Sequence, residues 1–138
     1  MRILFDTNVI LDLLLDRKPH AVAAGRLMSA VERDELAGLL CATSVTTLDY
    51  LIARAIGREQ ARQAIRNLLR VFDVAAVTRA VLEAALEIDL PDYEDAVIHE
   101  AARGSEADGI VTRNASDFKG SAIPIFSPEE LVAALQEG

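Results

Sequence analysis

Three aspartates, Asp6, Asp95 and Asp117, combine residue type and position in a way that could do chemistry. Asp6 closes the run Arg2-Ile3-Leu4-Phe5-Asp6 and is followed by Thr7-Asn8. Asp95 stands in Asp92-Tyr93-Glu94-Asp95-Ala96, and Asp117 follows closely on Thr112-Arg113-Asn114. If these segments converge, several carboxylates share one crevice. Two like charges about 4 Å apart repel by about 4 kcal/mol at an effective dielectric of about 20. A group of three is tolerable only with protons or cations among it. Hard divalent ions take oxygen ligands, and Mg²⁺ binds carboxylates while keeping part of its water. A Mg²⁺ or Mn²⁺ site is the expectation, with Asp92, Glu94 and Asp49 as further acids.

Each acid also has a plainer role open to it. Asp6 is a favoured residue for capping a following helix. Asp92 and Asp95 have the spacing of a capping box, with Asp92 as the cap. Asp49 either turns toward the crevice or is solvated. On an ideal helix, however, Asp95 lies roughly 20° from Ala102 and roughly 60° from Ile98, at the edge of the inner face. A charge there needs a partner. Asp117 alone reads as a turn residue; the set of three is what points to ligands. His99, one turn after Asp95, reads as exposed or capping rather than as a ligand, and His20 carries no signal. Ser44 and Cys41 lack a His–acid partner set, so nucleophilic catalysis is not expected.

The elements that must position these groups alternate in type. Strands are expected at residues 2–6, 39–44, 71–77, 109–112 and 123–126. Helices are expected at 8–15, 19–35, 46–56, 58–70, 79–88 and 93–103, with a last one opening at Ser127-Pro128-Glu129-Glu130. The helix from Arg58 has an inner stripe of Ala61, Ala64, Ile65, Leu68, Leu69 and Phe72. Strands separated by helices need right-handed crossovers, giving an α/β fold with a mostly parallel sheet covered on both faces. Ligands in such folds sit beyond the carboxyl ends of the strands. Asp6, Thr112 and Asn114 stand at such ends.

Composition narrows the class. The chain has 138 residues, 51% apolar and 26% charged, and its single cysteine allows no disulfide framework within it. One domain over residues 1–138 is the simplest reading. The longest uncharged run, Leu36 to Leu48, is 13 residues, whereas a membrane crossing takes about 20. Asp6 and Asp12 interrupt the only apolar N-terminal stretch, so neither a membrane span nor a signal peptide is expected, and a cytoplasmic setting is.

A net charge of −8 argues against holding nucleic acid by bulk attraction. Residues 54–70 nevertheless carry Arg54, Arg58, Arg62, Arg66 and Arg70 against Glu59 alone, locally +4, leaving −12 elsewhere. Such a row is either a solvated face or a phosphate contact.

Three motifs in this order resemble the PIN domain family: Phe5-Asp6-Thr7-Asn8-Val9-Ile10-Leu11-Asp12, Asp92-Tyr93-Glu94-Asp95-Ala96, and Ile110-Val111-Thr112-Arg113-Asn114-Ala115-Ser116-Asp117-Phe118. The resemblance implies a three-layer α/β/α fold with a five-stranded parallel sheet. It also implies a Mg²⁺- or Mn²⁺-dependent nuclease, usually acting on RNA. Many small bacterial and archaeal members are VapC-type toxins, restrained by an antitoxin protein and commonly homodimeric. Asp6 matches the family's first metal-binding acid and Asp95 its third. Where the family commonly has a glutamate on the third helix, this chain offers Asp49. Where many members have an aspartate, it has Asn114, so Asp117 supplies the fourth carboxylate, with Asp92 or Glu94 as substitutes. Thr7, Asn8, Thr112 and Asn114 would orient metal waters or carboxylates, and Arg58, Arg62, Arg66 and Arg113 would contact RNA.

Two rivals belong to other classes. A phosphoaspartyl protein also places Asp after its first strand, but Asn8 stands where the phosphatase pattern wants an acid, and Lys119 is the only late lysine. A degenerate PIN module would bind RNA or a partner without cutting.

Overall fold

Short apolar strands alternate with amphipathic helices, and every strand pairing is parallel. The computed structural model describes residues 1–137. Its strands are β1 (Arg2–Phe5), β2 (Ala37–Cys41), β3 (Asp73–Ala75), β4 (Gly109–Val111) and β5 (Ile125–Phe126). The helices are α1 (Thr7–Leu14), α2 (Ala21–Glu32), α3 (Ala42–Ile56), α4 (Arg58–Val71), α5 (Arg79–Glu87), α6 (Tyr93–Gly104) and α7 (Pro128–Glu137), with a 3₁₀ turn at Ala115–Phe118. The sheet order is β3-β2-β1-β4-β5, with Leu4 opposite Leu39 on one side and Ile110 on the other.

Successive strand side chains point to opposite faces, and this divides the core. Ile3, Phe5, Leu40 and Val111 face the layer that includes α1, α2, α3, α4 and α7. Leu4, Leu39, Cys41 and Ile110 face Ile98, Ala101 and Ala102 of α6. The result is the expected three-layer α/β/α arrangement. Geometry requires glycine at several positions, Gly57 and Gly38 among them. Gly57, at φ +101°, turns the chain between α3 and α4 in a conformation that disfavours a side chain. At Gly38 a Cβ would stand 2.5 Å from the ring of Phe72, which packs edge-on against Phe5 with centroids 5.1 Å apart.

Several expected boundaries are corrected. β2 stops at Cys41 and α3 begins at Ala42, so Thr43 and Ser44 are helical. The β-branched run reads as strand locally, but Ser44, Leu48 and Ile52 form one buried stripe at helical spacing. The hydroxyls of Thr46 and Thr47 turn back to the Thr43 carbonyl, at 3.1 and 3.4 Å. α2 starts two residues past Pro19 and ends at Glu32, because Asp34 takes φ +60°. Val71 completes α4 and leaves β3 three residues long. Leu69, assigned to the inner stripe of α4, is exposed. Among the described residues no helix is long and apolar enough to cross a membrane.

Candidate metal centre

The chain runs outward from β1 through β2 to β3, then returns to lay β4 on the other side of β1. The order therefore reverses between β1 and β4, and a crevice opens beyond their carboxyl ends. Asp6 leaves β1 there, its own amide bonded to the Val111 carbonyl of β4 at 3.0 Å. It is 8% exposed. Its Oδ1 accepts the Thr7 amide at 2.9 Å, and its Oδ2 accepts the Thr112 hydroxyl at 2.8 Å and the Asn8 amide group at 3.4 Å. Asp6 is the N-cap of α1, so its capping reading holds, and it is also the centre of this network.

Asn8, Thr112 and Asn114 extend the network. Asn8 Oδ1 accepts the Arg113 amide at 3.2 Å, and Thr112 Oγ1 accepts the Asn114 amide at 3.0 Å. Thr7 Oγ1 is buried with no hydrogen-bond partner. Asp92 caps α6 through the Asp95 amide at 3.0 Å, so the capping-box reading is right for it. Asp95, one turn in, is half-buried, whereas Asp117 and Glu94 are exposed.

The three predicted acids act on one another. Burial raises the Asp6 carboxyl above the ordinary range; Thr112 and Thr7 oppose that, and the charge of Asp117 adds to it. Asp95 is pushed up to about 7, first by burial, then by the charges of Asp92, Asp6, Asp117 and Glu94. None of Asp6, Asp95 and Asp117 has an arginine or lysine partner among the described residues. Cations are spent elsewhere. Arg17 reaches Asp12 at 3.0 Å and Arg113 reaches it at 3.2 Å, while Arg62 pairs with Asp49 at 3.2 Å.

A divalent ion suits this donor set. Among the described residues no three Asp, Glu, His or Cys side chains form a ready-made cage. Mg²⁺ does not need one, since it takes one or two carboxylates and keeps several waters. An ion there would relieve the mutual repulsion of Asp6, Asp95 and Asp117.

The structure thus brings Asp6, Asp95, Asp117, Asp92 and Glu94 into one electrostatic group. Asp49 is not among the charges acting on Asp6 or Asp95, and it is neutralised by Arg62. Arg113 is turned onto Asp12 rather than left open. Asp12, 1% exposed, went unread as a site residue. The signal available was a lone carboxylate inside Val9-Ile10-Leu11-Asp12-Leu13-Leu14, where burial demands a partner. His99 is buried rather than exposed or capping, because Glu100 and Ser121 satisfy its two ring nitrogens.

The chain as a whole is similar to known proteins. Ribonuclease VapC1 of Aquifex aeolicus is 23% identical over 137 residues, covering 94% of this chain and 92% of that protein. The solved structure of VapBC2 from Rickettsia felis, bound to a DNA fragment from their promoter, superposes with a TM-score of 0.71 at 14% identity, over 92% of this chain and 98% of that one. VapC20 of Mycobacterium tuberculosis, a Sarcin-Ricin loop cleaving toxin, superposes with a TM-score of 0.63 at 20% identity, over 78% and 86%. A PIN domain family model matches residues 2–116, a span that includes Asp6, Asp49, Asp95 and Asn114 and stops one residue short of Asp117. On that match, the chain belongs to the PIN domain family.

Proposed function

We propose that this protein is a metal-dependent endoribonuclease, the toxin of a toxin–antitoxin pair. The observation that carries the reading is the group Asp6, Asp95 and Asp117 at the strand-order reversal, mutually repelling and, among the described residues, without an arginine or lysine partner. Asp6, Asp95 and Asp117 would hold Mg²⁺ or Mn²⁺. A bound divalent ion supplies water activation near neutral pH and neutralises charge on the scissile phosphate. The Thr112 hydroxyl and the Thr7 amide fix the rotamer of Asp6, and Asn8 ties that carboxylate to the start of the loop after β4. Arg58, Arg62 and Arg66 line one exposed recess on α4, and their charge suits an RNA backbone.

Relatives support the pairing with an antitoxin. The Aquifex protein is named a ribonuclease, the Mycobacterium protein a toxin that cleaves the sarcin–ricin loop, and the Rickettsia structure is a VapBC complex. We extend to this chain RNA as substrate, an antitoxin partner, a homodimeric state and a cytoplasmic setting. Asp6→Asn and Asp95→Asn should each abolish Mn²⁺-dependent cleavage of single-stranded RNA. Wild-type rates in either variant would refute the assignment.

One observation favours a second reading. Asp49, at the place of the family's glutamate, is engaged by Arg62, and Asn114 stands where an acid is common. A module that binds RNA or a partner without cutting would tolerate both. Isothermal titration with Mn²⁺ separates the two: binding supports the nuclease, and none at millimolar ion supports the degenerate module.

A further inference from the structure

His99 lies one turn beyond Asp95 on α6 and is 3% exposed. Its Nδ1 is 2.7 Å from Glu100 Oε2, and Glu100 in turn accepts Arg103 at 3.2 Å. Its Nε2 is 2.7 Å from the Ser121 hydroxyl and 3.3 Å from the Ala122 amide. Ser121 Oγ also accepts the Ile123 amide at 3.0 Å and lies 2.8 Å from the Ile123 carbonyl. The single proton of Ser121 can go to the ring or to that carbonyl. Because the Ala122 amide donates to Nε2, that nitrogen is an acceptor, and Ser121 is the donor in its contact with the ring.

Ser121 ends the segment that carries Asp117. Short backbone bonds stiffen this segment, from Asp117 to Asn114 at 3.0 Å, Lys119 to Ser116 at 3.3 Å and Ser121 to Phe118 at 3.0 Å. It is attached to α6 at two points. Phe118, 1% exposed, packs in the core cluster that holds Ile98, Ala101 and Ala102 of α6. Ser121 then bonds to His99 on the same helix. Apolar packing at Phe118 alone would leave the segment free to rock about that ring. A directed hydrogen bond on the far side removes that freedom.

We propose that His99 and Ser121 are positioning residues: they clamp the Asp117 segment to the helix bearing Asp95 and so set the geometry of the divalent-ion site. This rests on the nuclease reading above. Outer residues that orient metal ligands typically contribute 10–100-fold in affinity or activity, and a clamp between two ligand-bearing elements falls in that class. Glu100, buried and held by Arg103, orients the imidazole in turn.

The test uses the full chain and the variants Ser121→Ala, Ser121→Thr, His99→Gln and His99→Leu. Mn²⁺ affinity is read by calorimetry, melting temperature in EDTA, and kcat and KM on single-stranded RNA. Ser121→Ala and His99→Leu should weaken Mn²⁺ roughly tenfold or more and lower kcat, with KM for RNA unchanged. Ser121→Thr and His99→Gln, which keep a polar group in reach, should restore most of the loss. If His99→Leu fails to fold, the half-exposed Ser121 carries the test. Wild-type Mn²⁺ affinity in folded Ser121→Ala overturns the clamp alone. A wild-type protein that binds no Mn²⁺ overturns the nuclease reading and the clamp with it.

Discussion

Thr112 donates its hydroxyl to the carboxylate of Asp6 across 2.8 Å, joining the ends of β4 and β1 at the point where the strand order reverses. Both side chains are buried, so this bond is the principal compensation for a carboxylate that burial disfavours. Thr112→Val keeps the shape and removes the donor. It should destabilise the protein by about 1–2 kcal/mol near neutral pH and weaken Mn²⁺ about tenfold. Thr112→Ser should recover most of both. Thermal melts with calorimetry check this, and an unchanged Mn²⁺ affinity in Thr112→Val would contradict it.

Asp95 gives a pH dependence whose sign is unusual for an acid. Its carboxyl stands at about 7 in the fold against an ordinary value of 3.8. Between those values the folded protein binds a proton that the unfolded chain has lost. Stability from this group is therefore present below the lower value and falls as pH rises toward 7. In metal-free buffer, Asp95→Asn should melt higher than wild type near pH 8, with the gap narrowing as pH falls and closing only near the lower value of 3.8. Parallel melting profiles across that range would refute the prediction. The same proton must leave before an ion binds, so Mn²⁺ affinity should climb through neutral pH, with proton release measurable in buffers of different ionisation heat.

How much of this was legible follows from where each partner lies in the chain. Asp6 and Asp95 could be found because one follows an apolar strand and the other breaks a helical stripe, both local patterns. Asp117 was named from its place after β4. The start of α3 was missed because Thr43, Ser44 and Val45 prefer strand locally, while a buried stripe through Leu48 and Ile52 decides for helix. Asp12 and His99 were misjudged for a different reason. Arg113 meets Asp12 from 101 positions away, and Ser121 meets His99 from 22 away. The local sequence shows that a buried Asp12 needs a partner, but it identifies neither that partner nor the one that meets His99.

Asp12 supplies a contrast with the site acids. It is 1% exposed and receives both Arg17 and Arg113. Removing its charge leaves two guanidinium groups without their acceptor, although both reach solvent. Asp12→Asn should cost about 2–3 kcal/mol, seen as a lower urea midpoint. Asp95→Asn should raise the midpoint near pH 8 in metal-free buffer, since it removes repulsion. A destabilised Asp95→Asn alongside an unaffected Asp12→Asn would reverse the roles assigned here.

The arginine row is tested by salt. Arg58 and Arg66 are exposed, line one recess with Arg62, and have no acidic partner among the described residues. Arg62, by contrast, is already engaged by Asp49. If Arg58 and Arg66 each neutralise one phosphate, the double change to alanine should reduce the slope of log affinity against log salt by about 1.4, since each contact to a single strand contributes about 0.7. KM for RNA should rise while Mn²⁺ affinity stays as in wild type, because the row belongs to α4 and the ion site to the crevice beyond β1 and β4. Arg62→Ala should have a smaller effect on the slope, its charge being partly spent on Asp49. An unchanged slope in the double variant would mark the row as a solvated face.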